Sequence, residues 1–301
     1  MHKNILIVFG ITILFLGMSV DTFSAVDNHM KSTMTVSSGN ILYVGGNGTG
    51  NYTRIQDAID NASDGDTVLV YNGTYDEEHI GITNKSINLV GENKNTTVIM
   101  NTSVWVFSSK NVIIHSFTIT KEGYYPGDIN IYFLRCSNCT FYDSIVKSNG
   151  PFFRSIVIEE SSEIKILKNC IKSGCLTISI TDCQNCIIQN NYIIGNINYN
   201  PDMGISIYGS TNVTVFRNHV SGYPFGIDIW SSKNIDIIQN NLIRNIKNGC
   251  FHSKNLIKIL WYGNYWGRPR LLPHPVRGWL FIIPFIQFDW HPAQEPYDIP
   301  I

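Results

Sequence analysis

Three carboxylates stand at positions that could form a catalytic acid pair. Glu159 and Glu160 are adjacent, and Asp182 follows 22 residues after Glu160. In a chain that repeats at this period, the three residues occupy nearly equivalent positions in neighbouring structural units. Two carboxyl groups held side by side can act as the acid and the base, or nucleophile, of a glycosidase. The alternative interpretation, that all three are solvated turn residues, is the one we favour.

Aromatic side chains at predicted outward strand positions form a second candidate site. These residues are Trp105, Phe107, Tyr132, Tyr208, Trp230 and Phe251. Aromatic rings stack on the apolar faces of sugars, and Asp228, two residues before Trp230, can accept hydrogen bonds from sugar hydroxyls. Tyr199 lies in a lengthened loop just before Tyr208. The pattern predicts a polysaccharide-binding face, and the alternative is that these aromatics simply favour strands.

Two Cys-x-x-Cys pairs, Cys136 with Cys139 and Cys183 with Cys186, have the spacing of zinc ligands. The repeat places one whole unit between the pairs, a separation of about 9.6 Å. That is too far for one tetrahedral zinc ion with bonds of about 2.3 Å. Because other units carry Ser at the equivalent of Cys136 and Cys183, we interpret the cysteines as small buried side chains. Disulfide bonds, which export would permit, are the alternative.

The histidines offer no regular metal site. They occupy different positions of the repeat, and the chain contains only 6 methionines. The six residues concerned are His79, His115, His219, His252, His274 and His291. Because no histidine ladder forms, copper binding is not expected, and no metal or other cofactor is predicted.

These candidate residues are positioned by an internal repeat. Gly204 to Leu242 contains two segments 22 residues apart, each with a Gly-Ile-x-Ile strand followed by a Ser-x-Asn turn. The turn position recurs at spacings of 21 to 27 residues, at Ser86, Asn111, Asn138, Glu163, Asn185, Asn212, Asn234 and Asn255. The period and the alternation of Ile and Val predict stacked coils of short strands. Three coils carry insertions, at 120–128, 147–154 and 195–203, that leave one corner, where binding loops are common.

The register makes two structural predictions. One buried column should contain Ile166, Ile188, Val215 and Ile237. Six residues after the turn position, Asn169, Asn191, Asn218 and Asn240 should stack as a ladder at about 4.8 Å per coil. Stacked amides can hydrogen-bond to one another, and Asn also tolerates the left-handed backbone of a tight turn.

Composition and the N-terminus indicate an exported protein. Charged residues make up 15% of the 301 residues and the net charge is −1, so no basic footprint indicates nucleic acid. Lys3 precedes an apolar run from Ile5 to Val20, and Ser24-Ala25 resembles a cleavage site. We predict a signal peptide at 1–25 and a linker at 26–40. An uncleaved membrane anchor is the alternative. Nine Asn-x-Ser/Thr sequons support export only weakly.

Both ends of the coil stack are predicted to be capped. An amphipathic helix is expected over 53–62, with Thr53 as its cap and Ile55 and Ile59 on its apolar face. Such a helix would cover the open end of the core. At the other end, residues 267–301 contain the apolar run from Trp279 to Phe288, which Pro284 interrupts. We interpret this tail as a second cap, and docking to a membrane surface or a partner is the alternative.

These segments also carry a family resemblance. The stretch from Tyr52 to Asp60, with Gly65–Val70 and Gly73–Tyr75, resembles the N-terminal cap and first coil of the pectin-lyase-like superfamily. The Asn-rich coils and Gly263-Asn-Tyr-Trp266 resemble NosD-type, carbohydrate-binding-and-hydrolase repeat domains of secreted proteins, many of them archaeal. The resemblance covers residues 41–266. It implies an all-β, right-handed parallel β-helix of about eight coils of 21–27 residues.

The superfamily contains lyases, glycosidases, esterases, adhesins and a copper-related accessory protein, so the fold alone does not select an activity. The Asn-Thr-Asp, Asp-Asp and Gly-His-Gly motifs of the polygalacturonases are absent from the sequence. We therefore expect a non-catalytic, secreted or cell-surface protein whose partner is a polysaccharide or surface glycan. The alternatives are a polysaccharide lyase, which could use calcium, a glycoside hydrolase, and a NosD-like copper accessory protein. The sequence does not indicate an oligomeric state.

Overall fold

The computed structural model describes residues 39–122, 128–150, 153–173, 175–195, 202–254 and 258–300. Within these residues the chain forms a right-handed parallel β-helix of about nine turns, which confirms the predicted fold class. The sequence register counted about eight coils, because it began at Ser86 and left out the first turn. The predicted signal peptide, most of the linker, and Tyr199 lie outside the described residues.

Each turn of the helix contributes strands to three sheets, in which successive coils pair in parallel. Sheet 1 contains β1 (Ile41–Val44), β2 (Thr67–Val70), β5 (Asn88–Gly91), β8 (Ile113–His115), β11 (Thr140–Tyr142), β14 (Lys165–Leu167), β17 (Ile187–Gln189), β20 (Thr211–Phe216), β23 (Lys233–Ile238) and β26 (Ile259–Tyr262). Sheet 2 contains β3 (Gly73–Tyr75), β6 (Thr97–Met100), β9 (Thr118–Glu122), β12 (Ile145–Asn149), β15 (Cys170–Ser173), β18 (Tyr192–Gly195), β21 (His219–Ser221) and β24 (Asn241–Ile243).

Sheet 3 contains β4 (Ile80–Thr83), β7 (Val104–Phe107), β10 (Ile129–Leu134), β13 (Arg154–Glu159), β16 (Leu176–Thr181), β19 (Met203–Tyr208), β22 (Phe225–Trp230), β25 (Lys247–Ser253), β27 (His274–Leu280) and β28 (Ile283–Asp289). The three insertions noted in the sequence all connect a strand of sheet 2 to a strand of sheet 3. They therefore leave one corner, as predicted.

The core is built from stacked columns of aliphatic side chains. Ile166 pairs with Ile188, Ile188 with Val215, and Val215 with Ile237, and all four are fully buried. The predicted column is therefore confirmed. Because side chains alternate across a strand, fixing this column also fixes which residues of sheet 1 face outward.

A ladder of buried asparagines runs beside this column. The Nδ2 of Asn169 donates to the Oδ1 of Asn191, and the same contact joins Asn191 to Asn218, Asn218 to Asn240, and Asn240 to Asn264, at 3.0 to 3.1 Å. The predicted ladder is confirmed and is one residue longer than expected. It ends on the carboxylate of Asp289, which accepts a hydrogen bond from Asn264 at 3.1 Å.

A short helix, α1 (Ile55–Asn61), covers the N-terminal end of the core. Ile55, Ala58 and Ile59 are buried, as the apolar face predicted. Gln56 accepts a hydrogen bond from the Gly81 N–H at 2.6 Å and donates to the Gly81 carbonyl at 3.2 Å. The helix therefore satisfies backbone groups of β4, which is the last strand at its end of sheet 3.

The ends of α1 differ from the prediction. Thr53 does not cap the helix, because its N-cap is Arg54, which makes no side-chain cap bond. The carboxylate of Glu77 takes that role instead, accepting from the N–H groups of Ile55 at 2.5 Å and Gln56 at 3.1 Å. At the other end, the Lys85 ammonium donates to three carbonyls, those of Ile59, Asp60 and Ala62. Both helix termini are satisfied by residues from the following coil.

The C-terminal segment extends sheet 3 with a hairpin. Strand β27 pairs parallel to β25, and β28 returns antiparallel to β27. Trp266 and Val276 join the hydrophobic core, whereas Phe281 and Ile282 at the hairpin tip are exposed. Helices long and apolar enough to cross a membrane are not found in the described part of the chain.

Candidate functional site

The outer face of sheet 3 collects most of the predicted site residues. One column of paired outward residues contains Gly81, Trp105, Tyr132, Val157, Ser179, Ser206, Asp228 and Cys250. The next column, two residues further along each strand, contains Thr83, Phe107, Leu134, Glu159, Thr181, Tyr208, Trp230 and His252. Five of the six predicted aromatic residues, all but Phe251, therefore lie with Asp228 on one surface.

The last coil has a different register from the one predicted. His252 pairs with Trp230, and Phe251 pairs with Ile229. Phe251 is therefore buried in the core, at 1% exposure, and its predicted outward position was wrong. On sheet 3 the coil spans 22 residues, from Trp230 to His252, whereas the sequence register assigned 21. Because a shift of one residue exchanges the two faces of a strand, Cys250 and His252 face outward instead.

This shift brings three metal-ligating side chains together. Asp228, Cys250 and His252 each offer one ligand atom, and these atoms all lie within 4.8 Å of one another. The Cys250 thiol donates a hydrogen bond to Oδ1 of Asp228 at 3.1 Å. The indole Nε1 of Trp230 donates to Oδ2 of the same carboxylate at 2.6 Å. Both carboxylate oxygens are therefore held in place by neighbouring side chains.

Burial distinguishes the three ligands. Asp228 is 2% exposed and Cys250 is 5% exposed, whereas His252 is half-buried. The expectation that Asp228 would be free to accept sugar hydroxyls was therefore wrong, because the Trp230 side chain bonds to it and Cys250 takes its other oxygen. Burial, followed by the charge of Asp228, raises the pKa of the Cys250 thiol. The thiol consequently keeps its proton until a bound metal ion displaces it.

The donor set fits a soft or borderline transition metal. A thiolate and an imidazole suit copper and zinc, and a carboxylate can complete the set. Among the described residues, no other group of three such side chains has its ligand atoms this close. The group is not part of a histidine ladder, because its members are of three residue types. Its signal in the sequence is Cys-x-His, found 22 residues after Asp-x-Trp at 228–230, which is one coil.

A separate cleft lies near the other end of the same face. It has a volume of about 500 Å³ and is lined by His79, Trp105, Tyr132, Leu134 and their neighbours. Trp105 is 51% exposed and packs edge-on against Tyr132, with ring centroids 5.5 Å apart. The Tyr132 hydroxyl donates to Glu159 at 2.5 Å. Burial, with this hydrogen bond next, raises the pKa of Tyr132 to about 12.

The three candidate carboxylates occupy different environments. Glu159 ends strand β13 and accepts the hydrogen bond from Tyr132. Glu160 pairs with Arg135 at 2.7 Å on the exposed surface. Glu160 and Asp182 both adopt left-handed turn conformations, with φ of 48° and 52°, at equivalent positions of successive coils. Their proposed catalytic role stays a prediction.

The paired cysteines lie at the same corner of two different coils. Cys136, Cys139, Cys183 and Cys186 are all buried, and every cysteine is a free thiol. The turn residue Ser162 pairs with Ser137 on one side and Gln184 on the other, so one coil separates the two pairs as predicted. Sγ of Cys136 donates to the Val106 carbonyl at 3.2 Å. Such contacts are those of small buried side chains.

Residues 59–271 match the family model described as periplasmic copper-binding protein (NosD). The chain belongs to the NosD family. The match confirms the NosD-type resemblance read from the Asn-rich coils. No curated protein sequence matches this NosD-family chain.

Several solved structures resemble this NosD-family chain at low identity. A pectin methylesterase in complex with a hexasaccharide is 13% identical, with a TM-score of 0.47 over 74% of this chain and 88% of the other. Pectate lyase Pel9A is 15% identical, with a TM-score of 0.44 over 77% and 81%. Pectin methylesterase PemA from Erwinia chrysanthemi is 12% identical, with a TM-score of 0.37 over 77% and 90%. At these identities the similarity concerns the fold alone.

Proposed function

We propose that this protein is an exported β-helix that binds a copper ion as cargo through Asp228, Cys250 and His252. The observation that carries the proposal is the convergence of these three ligand atoms within 4.8 Å of one another. The family description supports both parts, since it names copper binding and the periplasm. The absence of a histidine ladder argued against copper in the sequence, but a mixed donor set needs no ladder.

The environment of the three ligands favours reversible binding. Copper(II) has the highest affinity of the common divalent ions for nitrogen and sulfur ligands, and copper(I) prefers thiolates. Structural metal sites usually have four protein ligands, whereas this site has three and an accessible side at His252. Asp228 and Cys250 are buried below that side. An open position of this kind suits a protein that receives an ion and releases it.

The surrounding side chains orient the ligands before an ion arrives. Trp230 stacks on His252, with centroids 4.0 Å apart, and its N–H fixes one carboxylate oxygen. Ligand orientation by neighbouring groups contributes about 10- to 100-fold to metal affinity. The Cys250 thiol must lose its proton on binding, because the thiolate is the ligand.

Copper(I) titration of the full chain against a chromophoric chelator tests the proposal. We expect about one ion per chain, and a loss of affinity of at least about tenfold in Cys250→Ser and in His252→Asn. Two matched controls exist in the chain. Cys183→Ser removes a buried thiol elsewhere, and His219→Asn removes the histidine of the similar Tyr192–His219 stack. Neither control should change the affinity.

The outcomes separate the function from the site. If the wild-type chain binds neither copper nor zinc, the proposed function is wrong. If it binds copper and both site variants bind equally well, the function holds but the assigned residues are wrong. If zinc alone binds at the three residues, the cargo is zinc. Thermal unfolding of each variant shows whether a lost affinity reflects a lost fold.

A second candidate function, binding of a polysaccharide or surface glycan, is favoured by the cleft at Trp105 and Tyr132. An exposed indole beside a phenol presents a stacking platform for a sugar ring, and Glu159 supplies an acceptor. Retention of the chain on immobilised polysaccharides should be lost in Trp105→Ala and kept in Trp230→Ala. Unsaturated products or new reducing ends in the same incubation would instead indicate the alternative, a lyase or hydrolase.

A further inference from the structure

The C-terminal end of the chain has an unusual charge distribution. Between Asp236 and Asp289 the sequence contains no acidic residue, although the whole chain has 23. The same stretch contains seven cationic residues, namely Arg244, Lys247, Lys254, Lys258, Arg268, Arg270 and Arg277. The chain as a whole is nearly neutral, at −1, so this stretch carries a local excess of positive charge, and Asp289, Glu295 and Asp298 follow it.

The same end exposes its apolar side chains. At the tip of the β27–β28 hairpin, Phe281 is 65% exposed, Ile282 is 88% exposed and Ile283 is 63% exposed. Both faces of β28 expose apolar side chains. The successive residues Phe285 and Ile286, which point to opposite faces of the strand, are 40% and 49% exposed. A group of exposed apolar residues of this kind on a folded protein marks a docking surface.

We propose that the hairpin inserts its tip into the interfacial layer of an anionic lipid bilayer. The apolar tip would enter the layer, while the exposed Arg277 on β27 and Lys254 directly after β25 approach the negatively charged headgroups. Trp279 and Trp290 are 44% and 65% exposed on the hairpin and beside it, and tryptophan favours the membrane interface. This inference is independent of the metal site and of the glycan cleft.

The shape of the tip favours a lipid layer over a flat protein partner. A protein surface would cover one face of the hairpin, whereas apolar residues occur here at the turn and on both faces of β28. A fluid layer surrounds an inserted tip on all sides. The hairpin strand β27 and the strand β25 beside it contain no acidic residue that would repel anionic headgroups.

Co-sedimentation of the full chain with lipid vesicles tests the proposal. Neutral phosphatidylcholine vesicles are compared with vesicles that also contain phosphatidylglycerol, at low and at high salt. We expect binding to the anionic vesicles, weakened at high salt. Ile282→Asp should weaken it by about tenfold or more, because it places a charge at the inserted tip.

The control is Ile41→Asp, a substitution of another exposed isoleucine, 51% exposed, on the first strand of sheet 1. It should bind as the wild type does. All three proteins keep residues 5–20, so any membrane affinity of that apolar run is common to them. Equal binding by Ile282→Asp and wild type would overturn the proposal. The proposal would also be overturned if the wild type did not bind vesicles, or if it bound equally well with and without phosphatidylglycerol. A soluble dimer that Ile282→Asp dissociates would overturn it too, because the surface would then be a contact between two copies of the chain.

Discussion

Trp230 and His252 lie face to face on adjacent strands of sheet 3, with ring centroids 4.0 Å apart and planes inclined by 15°. A second stack of the same geometry joins Tyr192 to His219 on sheet 2, at 4.1 Å and 15°. In the second stack the histidine bonds to Ser221, whereas the first adjoins a thiol and a carboxylate. The stack is therefore a common way of pairing rings across coils, and the neighbouring ligands make the first one a candidate site.

The position of Trp230 makes its fluorescence a direct reporter of metal binding. Copper held by His252 would lie next to the indole, so emission should fall as the ion binds. Trp230→Phe should reduce this change, and Trp279, which pairs with His252 on β27, should account for the remainder. The chelator titration should still detect the ion, at lower affinity, because the ring stack is kept but the N–H bond to Asp228 is lost. The control Trp105→Phe lies at the far end of the face and should leave the change intact. A full emission change in Trp230→Phe would contradict the assigned site.

Copper affinity should increase with pH. Binding converts the Cys250 thiol to a thiolate and releases its proton, so affinity should rise by about tenfold per pH unit while the thiol is protonated. Burial raises the pKa of this thiol, so the rise should persist beyond the range of an ordinary cysteine. Chelator titrations between about pH 7.5 and about pH 9 measure the slope. Cys250→Ser should flatten it, and an equal slope in that variant would exclude the thiol as a ligand.

Much of the fold follows from the repeat, but the site does not. The column through Ile188 and the ladder through Asn218 were predictable because each coil repeats the same burial and the same turn. Strand β25 keeps the 22-residue spacing from β22, whereas the turn position assigned to Asn255 implied 21, and that one residue decides whether His252 faces the core or the solvent. A pattern therefore predicts the regular coils well and fails where the repeat ends, which is where the candidate metal ligands lie.

The interactions that cap helix α1 and the asparagine ladder also could not be predicted from the sequence. Glu77 and Lys85 lie in the coil after helix α1, and nothing in their local sequence marks them as partners of its ends. Likewise, Asp289 is separated from Asn264 by 25 residues and belongs to no repeat. Such contacts depend on how the chain is folded around the ends of the helix, whereas the repeat specifies only contacts between equivalent positions.

The contact of Gln56 with Gly81 should contribute to stability. Gln56→Ala removes partners from both backbone groups of a partly buried strand, which should cost about 1–3 kcal/mol in the free energy of unfolding. Urea denaturation measures the difference, with Asn61→Ala, at the exposed end of the same helix, as the control. Ile59→Asp, a charge placed against the core, should in addition promote aggregation. Wild-type stability in both Gln56→Ala and Ile59→Asp would show that α1 is not a functional cap.

Stability of the C-terminal region should fall in acid because of His274. Burial, followed by the charges of Arg270 and Arg268, lowers its pKa from 6.5 to about 4. Between these values the unfolded chain binds a proton that the folded chain does not, so stability is full above about pH 6.5 and declines towards about pH 4. His274→Phe keeps a ring beside Trp266 and should remove this part of the decline. An identical pH dependence of unfolding in the variant and the wild type would contradict this.

Asp289 should be essential for the end of the asparagine ladder. It is fully buried, and its carboxylate accepts hydrogen bonds from the backbone N–H groups of Gly263, Asn264 and His291, and from the side chains of Asn264 and Trp266, at 2.8 to 3.1 Å. A carboxylate has only acceptors, whereas an asparagine would turn an NH₂ group towards some of these donors.

Asp289→Asn should therefore destabilise the chain, although it changes few atoms. Leaving buried donors without acceptors costs about 1–3 kcal/mol, and the loss of bonds to a charged group adds to this. Urea denaturation measures the free energy of unfolding, and Asp298→Asn, on the exposed surface, removes the same charge without the contacts. If the two variants were equally stable, the ladder would need no terminal carboxylate. A loss confined to Asp289→Asn would show that the ladder must end on a group whose two oxygens both accept hydrogen bonds.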